Sequence, residues 1–158
     1  TPRFRNIHIS GLTGSNVNTA CTILGIEESP IMDISLSDMN IDAEHGLQID
    51  KVKNLTLDDV KVNSKIGAPF KISDSENIHI DNISTLKPIA DKTVMQATDV
   101  KDTFIKGCFP LAGSSSFIEL SGANTNNVIL SGNSFVRLSS KAVVKNADLN
   151  KKATIIIE

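Results

Sequence analysis

Asn54-Leu55-Thr56-Leu57-Asp58-Asp59-Val60 is the stretch on which the fold turns. Its first residue is an amide, then apolar and polar residues alternate, two short polar residues follow, and an apolar residue closes the phrase. Alternation with period two marks a strand with one buried face. The same phrase recurs on both sides. Upstream it reads Asn6-Ile7-His8-Ile9-Ser10-Gly11-Leu12 and Asp33-Ile34-Ser35-Leu36-Ser37-Asp38-Met39. Downstream it reads Asn77-Ile78-His79-Ile80-Asp81-Asn82-Ile83, then Asp102-Thr103-Phe104-Ile105-Lys106-Gly107-Cys108 and Asn127-Val128-Ile129-Leu130-Ser131-Gly132-Asn133. The copies begin 27, 21, 23, 25 and 25 residues apart, and Thr154–Ile157 reads as a last partial copy.

Between the copies lies a second short apolar segment, as in Gly46-Leu47-Gln48-Ile49, Pro69-Phe70-Lys71-Ile72 and Phe117-Ile118-Glu119-Leu120. Turns rich in Asp, Asn, Ser and Lys join them. A repeat of this length with about three short strands and no helical stretch fits one turn of a parallel β-helix. Hairpin signals point nowhere: no Asn-Gly or Asp-Gly dipeptide occurs in the chain. The expected architecture is all-β, a single solenoid domain over residues 1–158 with about six to seven coils. Equivalent residues then stack at about 4.8 Å. One inward ladder is Ile9, Leu36, Leu57, Ile80, Ile105 and Leu130. A second is Leu12, Met39, Val60, Ile83, Cys108 and Asn133, whose last member must bond to neighbouring backbone if it lies inside. The outward column runs His8, Ser35, Thr56, His79, Phe104 and Ile129. Its two apolar members predict a cover over the later coils, supplied by Ala147–Lys152 or by another chain.

Composition excludes several function classes. Sixteen Lys plus Arg against eighteen Asp plus Glu give a net charge of −2, contrary to an electrostatic nucleic-acid binder. The longest apolar run, Ile155–Ile157, is far short of a membrane span. Cys21 and Cys108 fall nearly four coils apart, too far for a disulfide within one chain, and read as small buried thiols. His8, His45 and His79 lack metal-ligand spacing, so neither a metal nor a cofactor is expected.

These phrases, with the opening Arg3-Phe4-Arg5-Asn6-Ile7-His8-Ile9-Ser10, resemble glycoside hydrolase family 28, the polygalacturonase-like pectin hydrolases. Ile31-Met32-Asp33-Ile34 and Gly46-Leu47-Gln48-Ile49…Asn54-Leu55-Thr56-Leu57 are similar to that family's C-terminal coils. The resemblance implies a right-handed β-helix, and it makes this chain the C-terminal part of a longer one. It also implies a secreted or periplasmic parent and an acidic polysaccharide as ligand. Four short motifs carry the family's inverting chemistry, in which one carboxyl donates a proton while another activates water. None is intact here. Asn18-Thr19-Ala20 lacks the carboxylate of Asn-Thr-Asp, and Arg3-Phe4-Arg5 puts arginine where Arg-x-Lys has lysine. Glu44-His45-Gly46 lacks the first glycine of Gly-His-Gly, and Asp58-Asp59 follows His45 although the family's pair precedes its histidine.

No catalytic residue is therefore assigned. Asp58 and Asp59 read as turn residues capping backbone donors, and His45 as a turn entering a strand. Arg3 and Arg5 are the candidates for contacts at a substrate rim, the alternative being a solvated or salt-bridged pair. Three functions remain open: the C-terminal portion of a pectin hydrolase, a non-catalytic β-helix binding or assembly module, or an enzyme with an unrecognised site of Asp or Glu ladders. In the first, Phe4, Ile7, Ile9 and Leu12 lie on an open end, covered by upstream coils or another subunit.

Overall fold

The computed structural model describes residues 2–158. Among these residues, ten strands and no helix make one parallel sheet system. The first three coils are near-continuous ribbons, β1 (Arg5–Leu24), β2 (Ile31–Asp50) and β3 (Val52–Ser73). Later coils carry two strands each: β4 (Glu76–Ser84) with β5 (Thr93–Thr98), β6 (Lys101–Lys106) with β7 (Ser116–Ser121), and β8 (Asn126–Leu130) with β9 (Val143–Lys145). A last strand, β10 (Ile155–Ile157), opens a seventh coil. Each strand pairs in parallel with its counterpart one coil away, so the chain is a β-solenoid of about six turns.

The ladder read from the sequence is the observed register. Ile9 pairs with Leu36, then Leu57, Ile80, Ile105, Leu130 and Ile157 follow in one column. From Leu36 to Leu130 every member is fully buried. Each such side chain removed from water stabilises by roughly 1.5–3 kcal/mol. The second segment stacks likewise, as Cys21, Leu47, Phe70, Met95, Ile118 and Val143.

What bends this ribbon is a set of left-handed residues at fixed places in the phrase. The first position has φ of 58° at Asn6, 58° at Asp33, 61° at Asn54, 55° at Asn77, 50° at Asp102 and 53° at Asn127. The sixth repeats this at Gly11, Asp38, Asp59, Asn82, Gly107 and Gly132. Asn, Asp and Gly are the residues that tolerate that region, so the polar marks of the phrase are its corners. At Gly107, left-handed at φ 65°, a Cβ would also press on the Asp81 carboxylate of the coil before, which would have to move aside. Amide ladders tie the first corner together: Asn54 Nδ2 donates to Asp33 Oδ1 at 2.7 Å, and Asn77 Nδ2 to Asn54 Oδ1 at 2.7 Å.

The two ends differ. On the N-terminal face the rung residues Ile7, Ile9, Leu12 and Val17 are 37–44% exposed, and Phe4 is 60% exposed. At the C-terminal end polar residues take over rung positions. Lys145 succeeds Ile23, Ile49, Ile72, Ala97 and Leu120 in one column. Asn133 accepts from Cys108 N at 2.9 Å and donates to Ile105 O at 3.0 Å and Ser131 O at 3.3 Å, the backbone bonding expected of it. Phe135 packs on Phe117 with centroids 5.0 Å apart, and Leu149 is buried, leaving Ile157 as that end's exposed rung.

Two expectations need correction. Ala147–Lys152 does not cover Phe104 and Ile129. It continues the last coil, where Asn150 N bonds to Gly122 O at 3.3 Å and Leu149 turns into the core. Phe104 and Ile129 remain half-buried, with His79 edge-on to Phe104 at 5.3 Å. The two cysteines are free, as the stacking requires, but only Cys108 is buried, because Cys21 sits on the open first coil.

Candidate functional site

The third side of the early coils bears a concavity of about 460 Å³. It forms where β1 bulges between Gly14 and Val17, with Asn16 left-handed at φ 56°. Below the bulge, Asp42 stacks on Asn63 and Ala43 on Ser64. Asn63 is buried and spends its amide in full: Nδ2 donates to Asp42 Oδ1 at 2.6 Å and to Asn40 Oδ1 at 3.5 Å, while Oδ1 accepts from Leu86 N at 2.6 Å and Thr85 Oγ1 at 3.3 Å. Lys87 completes the wall by pairing with Asp42, and Lys65 pairs with Glu44 at 3.5 Å.

The electrostatics set what this groove can do. The hydrogen bond from Lys87 foremost, then that from Asn63, holds the Asp42 carboxyl below the usual range, although burial pushes the other way. Outside the groove, at the end of β2, burial pushes the Asp50 carboxyl upward too, but bonds from Ser73 and Lys51 and the Lys51 charge outweigh it, so this carboxyl is also lowered. An inverting hydrolase needs one carboxyl kept protonated near neutral pH. Asp42 is the opposite, a fixed acceptor already paired with Lys87 and bonded by Asn63. The groove presents a charge-balanced hydrogen-bonding surface.

The residues singled out from the sequence do not converge here. Arg3 and Arg5 are exposed on the first coil, and among the described residues neither makes an ion pair. Arg5 heads a separate outward column through Met32, Lys53, Glu76 and Lys101. The remaining arginine, Arg137, lies 3.9 Å over the Phe109 ring. Asp59 does occupy a corner, yet its Oδ1 takes Lys61 Nζ at 2.6 Å and Asn82 Nδ2 at 3.1 Å instead of capping backbone. Asp58 stacks with Ser37 and Asp81 in the adjacent outward column. His45 is exposed beside the register shift that precedes Leu47. Among the described residues no group of three or more His, Cys, Asp or Glu side chains is placed to hold a metal, and no helix is long and apolar enough to cross a membrane. Burial pushes the Cys108 thiol up to about 11 and raises that of Cys21, so both stay protonated at neutral pH.

No family model, curated protein or solved structure matches the chain. The corner groove escaped the sequence because its partners Asp42, Asn63 and Lys87 are separated by whole coils. Adding the repeat interval to Asp42 would have reached Asn63 and the neighbourhood of Lys87.

Proposed function

We propose that this chain forms the C-terminal coils of a polygalacturonase-like pectin hydrolase, itself without the catalytic motifs and acting as a rigid wall beside a site carried by adjoining coils. The observation that supports this reading is the contrast between its ends. The N-terminal face offers a row of aliphatic rungs, Ile7, Ile9, Leu12 and Val17, in register with buried ones, whereas at the C-terminal end Asn133, Lys145 and Leu149 take over several rung positions and the short strand β10 leaves Ile157 exposed. Solenoids close their ends with polar or folded-over residues and leave apolar cross-sections where another coil continues the stack. On this reading the parent acts outside the cytoplasm on an acidic polysaccharide. Arg3 and Arg5, exposed at the junction, are the cations nearest to where the adjoining coils would lie.

The experiment is reducing-end release from polygalacturonate by the chain alone and by the product of its gene extended upstream. Release by the extended protein only is the expected result. Release by the chain alone, or none by either, overturns the reading. The second reading, a non-catalytic binding or assembly module, draws on the paired charges of the corner groove, where Asp42 is held ionised against Lys87.

A further inference from the structure

A second groove, of about 480 Å³, runs along the solenoid axis on a different face, over the phrase strands of the first four coils. Its floor is the register column His8, Ser35, Thr56 and His79. Among the described residues none of these four side chains makes a hydrogen bond within the protein. One wall is the corner ladder of Asp33, Asn54 and Asn77. A side-chain amide carries two N–H donors and two acceptor lone pairs. Asn54 spends one donor on Asp33 and one acceptor on Asn77, so each rung keeps hydrogen-bonding capacity facing outward.

From this arrangement we infer that the groove is a binding track for a neutral oligosaccharide lying parallel to the axis. Imidazole, hydroxyl and amide are groups that both donate and accept, as sugar hydroxyls do. They recur once per coil at about 4.8 Å, close to the advance of an extended 1,4-linked glycan per sugar. Beyond His79 the same column continues as Phe104, half-buried and edge-on to the His79 ring at 5.3 Å. An apolar ring at the end of a row of polar groups suits the C–H face of a terminal sugar, in the manner of sites with a few placed polar groups beside an aromatic wall. Charge selects the class of glycan. The groove is lined by one carboxylate, Asp33, and by no lysine or arginine, so a polyuronate would enter it uncompensated. The ligand is therefore a neutral chain of about four sugars, distinct from the acidic backbone of the proposed substrate.

The test is calorimetric titration of the whole chain with neutral 1,4-linked galacto- and gluco-oligosaccharides of increasing length, and with oligogalacturonate. Affinity should rise up to about four units, one per rung, and change little with salt. Thr56→Ala and Phe104→Ala should each weaken it about tenfold. His79→Ala, at an exposed position, should weaken binding likewise and is the variant least able to disturb folding, and circular dichroism checks all three. Failure of every neutral oligomer to bind, unaltered binding by the folded variants, or tighter binding of oligogalacturonate overturns the inference. Because no turnover is measured, the outcome is independent of whether the chain belongs to a hydrolase.

Discussion

At the scale of single residues, the chain reveals how a few polar side chains steer a mostly aliphatic ribbon. Asn54, Asn77 and their equivalents look from the sequence like strand starters, and they are left-handed corners that hold one another through side-chain amides. The recurrence of Asn, Asp and Gly at two fixed places was legible. Their backbone conformation was not, because those residues also start strands and cap turns. Thr103 departs from the pattern in the other direction. It occupies the rung column of Ile78 and Val128, is buried, and its Oγ1 has no hydrogen-bond partner among the described residues. A buried unsatisfied hydroxyl costs about 1–3 kcal/mol. Thr103→Val should therefore raise stability by about 1–2 kcal/mol, read as a higher urea midpoint at unchanged slope. A lower midpoint would mean that the hydroxyl has a partner.

At the scale of strands, the period-two alternation and the repeat interval sufficed to align the rungs from Ile9 to Leu130, since a one-residue slip would turn every aliphatic side chain outward. The third side of the coil was less legible. Its inward positions include Asn63 and Ser64, both buried polar residues: Asn63 bonds to residues of the neighbouring coils, and Ser64 Oγ donates to Gly67 O within its own coil. Its strand also disappears after β4, where Lys87-Pro88 and Phe109-Pro110 interrupt the ladder: proline has no N–H to give. Stability should follow position in the stack and not residue type. Leu57 has a coil on each side and is fully buried, whereas Ile9 has one neighbour and is 38% exposed. Leu57→Ala should cost about 2–5 kcal/mol, the usual range for a core truncation, and Ile9→Ala less than half as much. Chemical denaturation of the two variants checks this. Equal losses would show that the first coil is already covered in solution.

For the molecule as a whole, the unequal ends decide how it meets others. A parallel solenoid whose first ribbon, β1, runs for 20 residues presents an unpaired row of backbone groups along that edge beside the apolar rungs. Such an edge is a template for strand addition, and burial of several aliphatic side chains supplies the driving force. Under the proposed function, adjoining coils would occupy it. With the chain on its own, the same surface has only a second copy to meet, and the C-terminal end, where β10 is three residues long and Asn133 and Lys145 replace rungs, matches a shorter part of it. The isolated chain should therefore associate through its N-terminal faces as concentration rises. Ile9→Lys combined with Leu12→Lys places charge on that face at the outermost rungs, leaving the rungs from Leu36 onward unchanged in sequence, and should hold the chain monomeric with an unchanged circular dichroism spectrum. Sedimentation velocity separates the cases, and the Cys21 thiol on the same coil gives a second readout through slower alkylation in the associated form. A wild-type chain that stays monomeric at high concentration, with freely exchanging β1 amides and Cys21 as reactive as in the double-lysine variant, would show that the exposed rungs need no cover.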